Sequence, residues 1–125
     1  NRTNAVVDTG SKAFKQITAI ELVREMKTGW NLGNTFDATG GGKGLNSEIS
    51  WGQPYTTKEM IDGLAASGIK TIRIPVSWSR HIVDNNYTIS TAWMKRVKEV
   101  VDWAIEDDMY VVLNIHHDNF EKADR

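Results

Sequence analysis

The sequence contains no cysteine, which excludes disulfides, thiolate metal sites and a cysteine nucleophile. It leaves the compartment open, because a chain with a large enough core needs no disulfide outside the cell. No run of about 18 consecutive apolar residues occurs, so there is no helical membrane span. Charge of either sign is not in excess: 15 basic side chains against 16 acidic ones leave a formal net charge of -1. That offers no electrostatic case for nucleic acid or an anionic membrane as partner. The stretch Asn1 to Gly10 is polar and lacks the basic-then-apolar layout of a signal peptide. Repeats, low-complexity tracts and linkers are also missing.

What is present is ordinary globular composition. With 125 residues, 40% hydrophobic and 25% charged, the chain has room for one small domain. Five tryptophans are the one unusual feature; in loops, such rings suit flat, partly apolar ligands such as sugars.

Local signals divide the chain into helices and strands. Thr18-Ala19-Ile20-Glu21 forms a capping box that opens a helix through about Met26, and Thr56-Thr57-Lys58-Glu59 forms a second. The second helix places Ile61, Leu64 and Ala65 on one face and stops at Gly68. A third starts near Ser90, with Trp93, Val97, Val100, Val101, Ala104 and Ile105 as its apolar stripe. Three short apolar runs read as strands: Gly29–Leu32, Ile69–Val76 and Met109–Ile115. The last is nearly continuous in apolar residues, which predicts burial on both faces in a parallel sheet. Asp37 to Ser50, rich in glycine, reads as a long loop. The βαβ rhythm fits either an open doubly wound sheet or a closed (β/α) barrel. Three strands cannot close a barrel, which needs roughly 250 residues.

In both architectures chemistry sits at the carboxyl ends of the strands. There the chain carries Asn31-Leu32-Gly33-Asn34, then Arg73-Ile74-Pro75 followed by Trp78, then Asn114-Ile115-His116-His117-Asp118. Arg73 alternates with Ile72 and Ile74, so it faces away from them. A charged side chain inside a parallel strand calls for a paired carboxylate. That partner is either one half of a structural salt bridge or a catalytic group that the arginine orients. His116 and His117 invite a metal reading, but adjacent strand residues point to opposite faces and poorly share one ion unless the strand has already ended, and neither a H-E-x-x-H motif nor a third ligand is evident. A histidine bonded to a substrate hydroxyl or a carboxylate fits better, and no metal is expected. His81 reads as a loop histidine without a special role. Gly40-Gly41-Gly42-Lys43-Gly44 fails as a phosphate loop, because glycine follows the lysine where Ser or Thr is required. Trp93 and Trp103 ride on the third helix as packing residues, and Trp30 is ambiguous. Trp51 and Trp78 sit in loops at the polar rim, where a sugar-stacking platform belongs.

Four segments together resemble glycoside hydrolase family 5, in its bacterial endo-β-1,4-glucanase branch. They are Gly29-Trp30-Asn31-Leu32-Gly33-Asn34-Thr35-Phe36-Asp37-Ala38, Glu48-x-x-Trp51-Gly52-x-Pro54, Ile72-Arg73-Ile74-Pro75-Val76-Ser77-Trp78 and Asn114-Ile115-His116-His117-Asp118. Their order and spacing match from about Ile17 onward. Gln53 is a mild departure, since asparagine is common there.

The resemblance implies an α/β fold, the N-terminal portion (about three βα units) of a (β/α)8 TIM barrel, and retaining hydrolysis without a cofactor. It implies that Arg73 hydrogen-bonds the nucleophile and that His116 lies near the −1 sugar. His117 and Asn34 are then glycan contacts, with Trp51 and Trp78 as weaker ones. In the family the acid/base follows strand four and the nucleophile follows strand seven, and the two carboxyls must stand about 5 Å apart. Glu48, Glu106, Glu121 and Asp118 do not match either position. Residues 1–125 are therefore expected to supply part of a β-glucan cleft, inactive alone, within a secreted enzyme. The rivals are a glycan-binding piece that is not catalytic and one part of a split barrel completed by another chain. Two open sheet edges argue against a tidy independent module.

Overall fold

The computed structural model describes residues 16–118; the polar stretch Asn1 to Gly10 and Glu121 lie outside the described residues. Helix α1 (Ala19–Met26) opens on the predicted capping box: Thr18 Oγ1 accepts from the Glu21 amide, and the Glu21 carboxylate accepts from the Thr18 amide at 2.7 Å. Strands β1 (Gly29–Asn31), β2 (Thr71–Val76) and β3 (Tyr110–Ile115) form one parallel sheet in the order β1-β2-β3. Helix α2 (Lys58–Ala66) links the first pair and α3 (Thr91–Glu106) the second.

The strand order advances in one direction and the two crossover helices pack on each other. Both helices therefore cover the same sheet face, a winding shared by a barrel and by one half of a doubly wound sheet. On that face Ile72, Ile74 and Val76 are fully buried against Ile61 of α2 and Trp93, Val97, Val100 and Ala104 of α3. Thr71, Arg73 and Pro75 alternate to the other face, in register with Tyr110, Val112 and Asn114 of β3. Pro75 is tolerated in this central strand for a local reason. The Arg73 carbonyl accepts from Leu32, so odd-numbered residues turn their backbone toward β1, and that pairing ends at Asn31↔Arg73. The missing N–H of Pro75 thus faces a side where β1 has already finished.

Several boundaries behave as the local chemistry dictates. Ser90 caps α3 through its side chain. Helix α2 closes in a Schellman turn, with Gly68 at φ +97° bonding Ala65 and Ile69 bonding Leu64. Five expectations are corrected. The cap of α2 is Thr57, whose side chain accepts from Met60, because the Thr56 amide is bound to the buried Glu48 carboxylate at 2.8 Å. Ile105 is exposed at the margin of the α3 stripe. Strand β3 is not covered on both faces: Val112, Leu113 and Ile115 are 40%, 47% and 60% exposed, since β3 is a sheet edge with no element beyond it among the described residues. The segment from Asp37 to Ser50 is not all loop; it opens on buried Asp37 and Ala38 and then winds into a 3-10 helix over Gly44–Ile49. His81 is no free loop residue, for its ring stacks on Trp93 with centroids 3.7 Å apart and planes 7° from parallel.

Candidate active site

Arg73, on the sheet face away from the helices, donates from Nη1 to Asn31 Oδ1 at 2.6 Å. Its register partner is that same asparagine. Among the described residues no carboxylate pairs with Arg73, so the structural salt bridge is not what holds it. A guanidinium with five donors and one amide partner keeps donors free at the strand ends.

His116 and His117 follow the last residue of β3. Alternation would point them apart only if the strand ran on through them. The strand stops at Ile115, and His117 turns to φ +52°. Both imidazoles therefore come to one side, with centroids 4.2 Å apart, and the Trp51 and His117 rings make a tilted edge-to-face pair with centroids 5.6 Å apart. The Asp37 carboxylate closes the group: one of its oxygens and one nitrogen from each imidazole all lie within 4.8 Å of one another.

The backbone around these side chains is held by polar clamps. The His116 amide donates to the Val76 carbonyl at 2.8 Å. Ser77 Oγ lies 2.9 Å from the Asp37 carbonyl and 2.5 Å from the His116 carbonyl, and the Ser77 amide donates to Phe36 at 3.0 Å. One residue after β2 thereby ties down the segments that follow β1 and β3. The Asp118 carboxylate accepts from the amides of Trp78 and Ser79, each at 2.8 Å at its shorter contact.

Trp51 is presented by a loop anchored to α3. Glu48, wholly buried, accepts from Arg96 Nε at 2.8 Å, from Arg96 Nη2 at 2.7 Å and from the Thr56 amide. Arg96 also donates to the Thr56 carbonyl at 2.6 Å. The Glu48 carboxylate holds the Arg96 guanidinium pKa above its usual value, with burial opposing. Trp51 Nε1 donates to the Thr39 carbonyl at 2.7 Å, leaving the ring 42% exposed.

Of the residues anticipated from sequence, the structure brings His116, His117 and Trp51 into contact, with Arg73 on the interior face of β2. Asn34 follows β1 at φ +59° and is exposed. Trp78 stands apart. It is half-buried against the core and lines, with Ile82, Tyr87, Ile89, Met94 and Ile115, an apolar groove of about 480 Å³ beside β3. Sequence reasoning gives no role to Asp37, Ser77, Glu48 or Arg96. Only the first three lie inside motif segments, and nothing in the sequence pairs Glu48 with Arg96.

Residues 31–124 match the family model for cellulase, glycosyl hydrolase family 5. Endoglucanase B of Ruminococcus albus is 56% identical over 105 residues, covering 82% of this chain and 25% of that protein. Endoglucanase B of Clostridium cellulovorans is 44% identical over 117 residues, covering 93% of this chain and 25% of that protein. Among solved structures, a GH5-4 broad specificity endoglucanase from Ruminococcus flavefaciens superposes with a TM-score of 0.81 at 54% identity, over 86% of this chain and 31% of its own. A xyloglucan-specific endo-beta-1,4-glucanase from a metagenomic library, solved with cellotriose, gives a TM-score of 0.74 at 49% identity, over 78% of this chain and 29% of its own. The chain thus spans about a quarter of the length of the curated relatives it matches, and its three-stranded parallel sheet is the N-terminal portion of their (β/α)8 barrel. On a match that covers most of its length, the chain belongs to the cellulase family, glycosyl hydrolase family 5.

Proposed function

We propose that this chain forms part of the glycan cleft of a retaining endo-β-1,4-glucanase acting on β-glucan chains. The observation that carries the reading is convergence: His116, His117 and Trp51 meet just beyond the carboxyl end of β3, where barrel enzymes place their chemistry, and Arg73 stands on the sheet face away from the helices. The relative solved with cellotriose supports a β-glucan as the ligand class.

In this reading Arg73 uses its free donors to orient the nucleophilic carboxylate, and His116 donates to or accepts from a hydroxyl of the sugar at the cleavage point. His117 and Asn34 contact the neighbouring glycan, while Trp51 offers an exposed ring for a sugar face. Retaining chemistry needs an acid/base and a nucleophile about 5 Å apart. Neither Glu48, locked to Arg96, nor Asp118, spent on backbone amides, is free for these roles. The two carboxylates are proposed to come from further barrel strands pairing with β3. Its exposed Val112, Leu113 and Ile115 and the adjoining apolar groove favour such a covering layer. Action on extracellular polysaccharide implies a secreted enzyme.

Reducing-sugar release from soluble β-glucan by the purified 125-residue polypeptide tests this. The expected result is no release, with release restored when the complementary part of a barrel is supplied and lost again in Arg73→Ala. Robust release by the polypeptide alone would overturn the assignment of the missing carboxylates. The same open edge favours a split-barrel piece completed by another chain over a free-standing binding module, which sedimentation at several concentrations distinguishes.

A further inference from the structure

We infer that Asn31 and Gly33 are positioning residues for Arg73: the Asn31 amide fixes one edge of the guanidinium without neutralising it, and the bare Cα of Gly33 leaves that amide its room. The inference deepens the proposed cleft and rests on the reading of Arg73 as the group that orients the nucleophile. Asn31 ends β1 and is the register partner of Arg73. The next residue, Leu32, donates its amide to the Arg73 carbonyl at 2.8 Å, so the two backbones are tied where the side chains meet. On the sheet face away from the helices, Arg73 Nη1 donates to Asn31 Oδ1 at 2.6 Å.

The amide has only one way round. A guanidinium donates and never accepts, so Asn31 must present its oxygen to Arg73 and turn its Nδ2 group away. That group lies against Gly33. A Cβ built on Gly33 would stand 2.7 Å from Asn31 Nδ2, closer than Cβ atoms approach a neighbour. Beyond its chain neighbours, the only other atom it would meet among the described residues is Cγ of the same asparagine, at 3.9 Å. Gly33 is itself held in place, since its carbonyl accepts from the hydroxyl of the buried Thr35 at 3.1 Å. The Asn31 side chain is exposed, so its amide is the part that would yield. A side chain at position 33 would therefore leave the fold intact and take the clamp off Arg73.

The choice of an amide matters for charge as well as for shape. An aspartate at position 31 would make the same bond and would also cancel the charge of Arg73. Asparagine restrains the guanidinium and leaves both its charge and its other donors for a second, negatively charged partner. A freely swinging arginine has to be ordered each time a carboxylate approaches. One already held along an edge is preorganised for it.

NMR exchange spectroscopy on the guanidinium nitrogens of the 125-residue chain reads rotation about the Arg73 Nε–Cζ bond directly, with no substrate or further strand needed. The expected result is slow rotation in the wild type and rotation faster by about tenfold or more in Asn31→Ala and in Gly33→Ala. That factor goes with the loss of one hydrogen bond to a charged group. Asn31→Asp should restore slow rotation. Gly33→Ala should show its effect at an unchanged urea midpoint, which separates release of the clamp from loss of the fold. Rotation as fast in the wild type as in Asn31→Ala overturns the inference. So does a folded Gly33→Ala variant in which Arg73 stays as restrained as in the wild type. In a barrel completed with its further strands, Asn31→Asp should move the acid limb of the rate profile on β-glucan up by about one pH unit, because a neutralised arginine no longer holds down the pKa of the nucleophile. An unmoved limb alongside the expected rotation rates would sink the reading of Arg73 as the nucleophile's partner and leave the clamp standing.

Discussion

Removing Arg96 while leaving Glu48 in place strands a carboxylate that has no solvent exposure at all. In the native structure that carboxylate accepts two bonds from the guanidinium and one from the Thr56 amide; in Arg96→Met only the last remains. Breaking a buried ion pair from one side costs about 3–5 kcal/mol, most of it the penalty of the abandoned charge. The reverse change is milder. In Glu48→Gln the amide oxygen can still accept, and Arg96 keeps the Thr56 carbonyl and Glu99 at 2.7 Å, with 15% of its side chain in solvent. The cost there is about 1.5–3 kcal/mol, that of one hydrogen bond to a charged group. The double variant Glu48→Gln/Arg96→Met carries no buried charge, so it should be more stable than Arg96→Met alone and strongly non-additive. Urea denaturation followed by tryptophan fluorescence measures all three. Equal losses in the two single variants, or a double variant that equals their sum, would refute the argument that Glu48 is the costly partner to abandon.

Asp118→Ala frees the amides of Trp78 and Ser79 and should destabilise by about 1–3 kcal/mol, with hydrogen exchange accelerating at those two amides first. Gly68→Ala forces a Cβ onto a residue at φ +97° and should cost about 1–2 kcal/mol through backbone strain alone, since nothing lies within 4 Å of the added carbon; thermal denaturation reads it. Burial against Trp93 pushes the His81 pKa below its ordinary 6.5, with Asp118 opposing and Arg80 adding to the shift. The unfolded chain then takes up a proton that the folded chain refuses. The His81 contribution is full above pH 6.5 and declines as pH falls from there toward the depressed folded value. His81→Phe should flatten the stability profile below pH 6.5, and an unaltered slope would show that another group carries it.

Much of the fold was legible because the signals that start and stop elements are local. Thr18 with Glu21, Ser90 ahead of Trp93 and Gly68 after Ala65 each act within one turn of their own position. The α3 stripe and the alternation in β2 likewise need only a short window, and Arg73 could be placed on the interior face from Ile72 and Ile74 alone. The misplaced cap of α2 shows where that window closes. Thr56 and Thr57 are chemically equivalent candidates, and what separates them is Glu48, brought to the Thr56 amide by a loop and an arginine 48 positions away. The exposure of β3 has a similar origin: a run of Val, Leu and Ile reports a capacity for burial, whereas what covers each face is decided by neighbours.

The site was the least legible part, and the reason is geometric. Chemistry in a parallel α/β fold collects where strands end, which is where the two-residue alternation stops being a guide to direction. His116 and His117 would point apart if β3 continued for two more residues; they converge because His117 leaves the strand at φ +52°. Nothing in a His-His pair announces that turn. It is enforced from elsewhere, by the Asp118 carboxylate on the amides of Trp78 and Ser79 and by the Ser77 hydroxyl between the segments after β1 and β3. Those clamps appear in the sequence as plain Ser and Asp beside more conspicuous neighbours, and register alone reveals them. A polar residue immediately past a predicted strand end therefore merits assignment first as a clamp on the adjacent strand's exit, with its more reactive-looking neighbour read as the group the clamp aims.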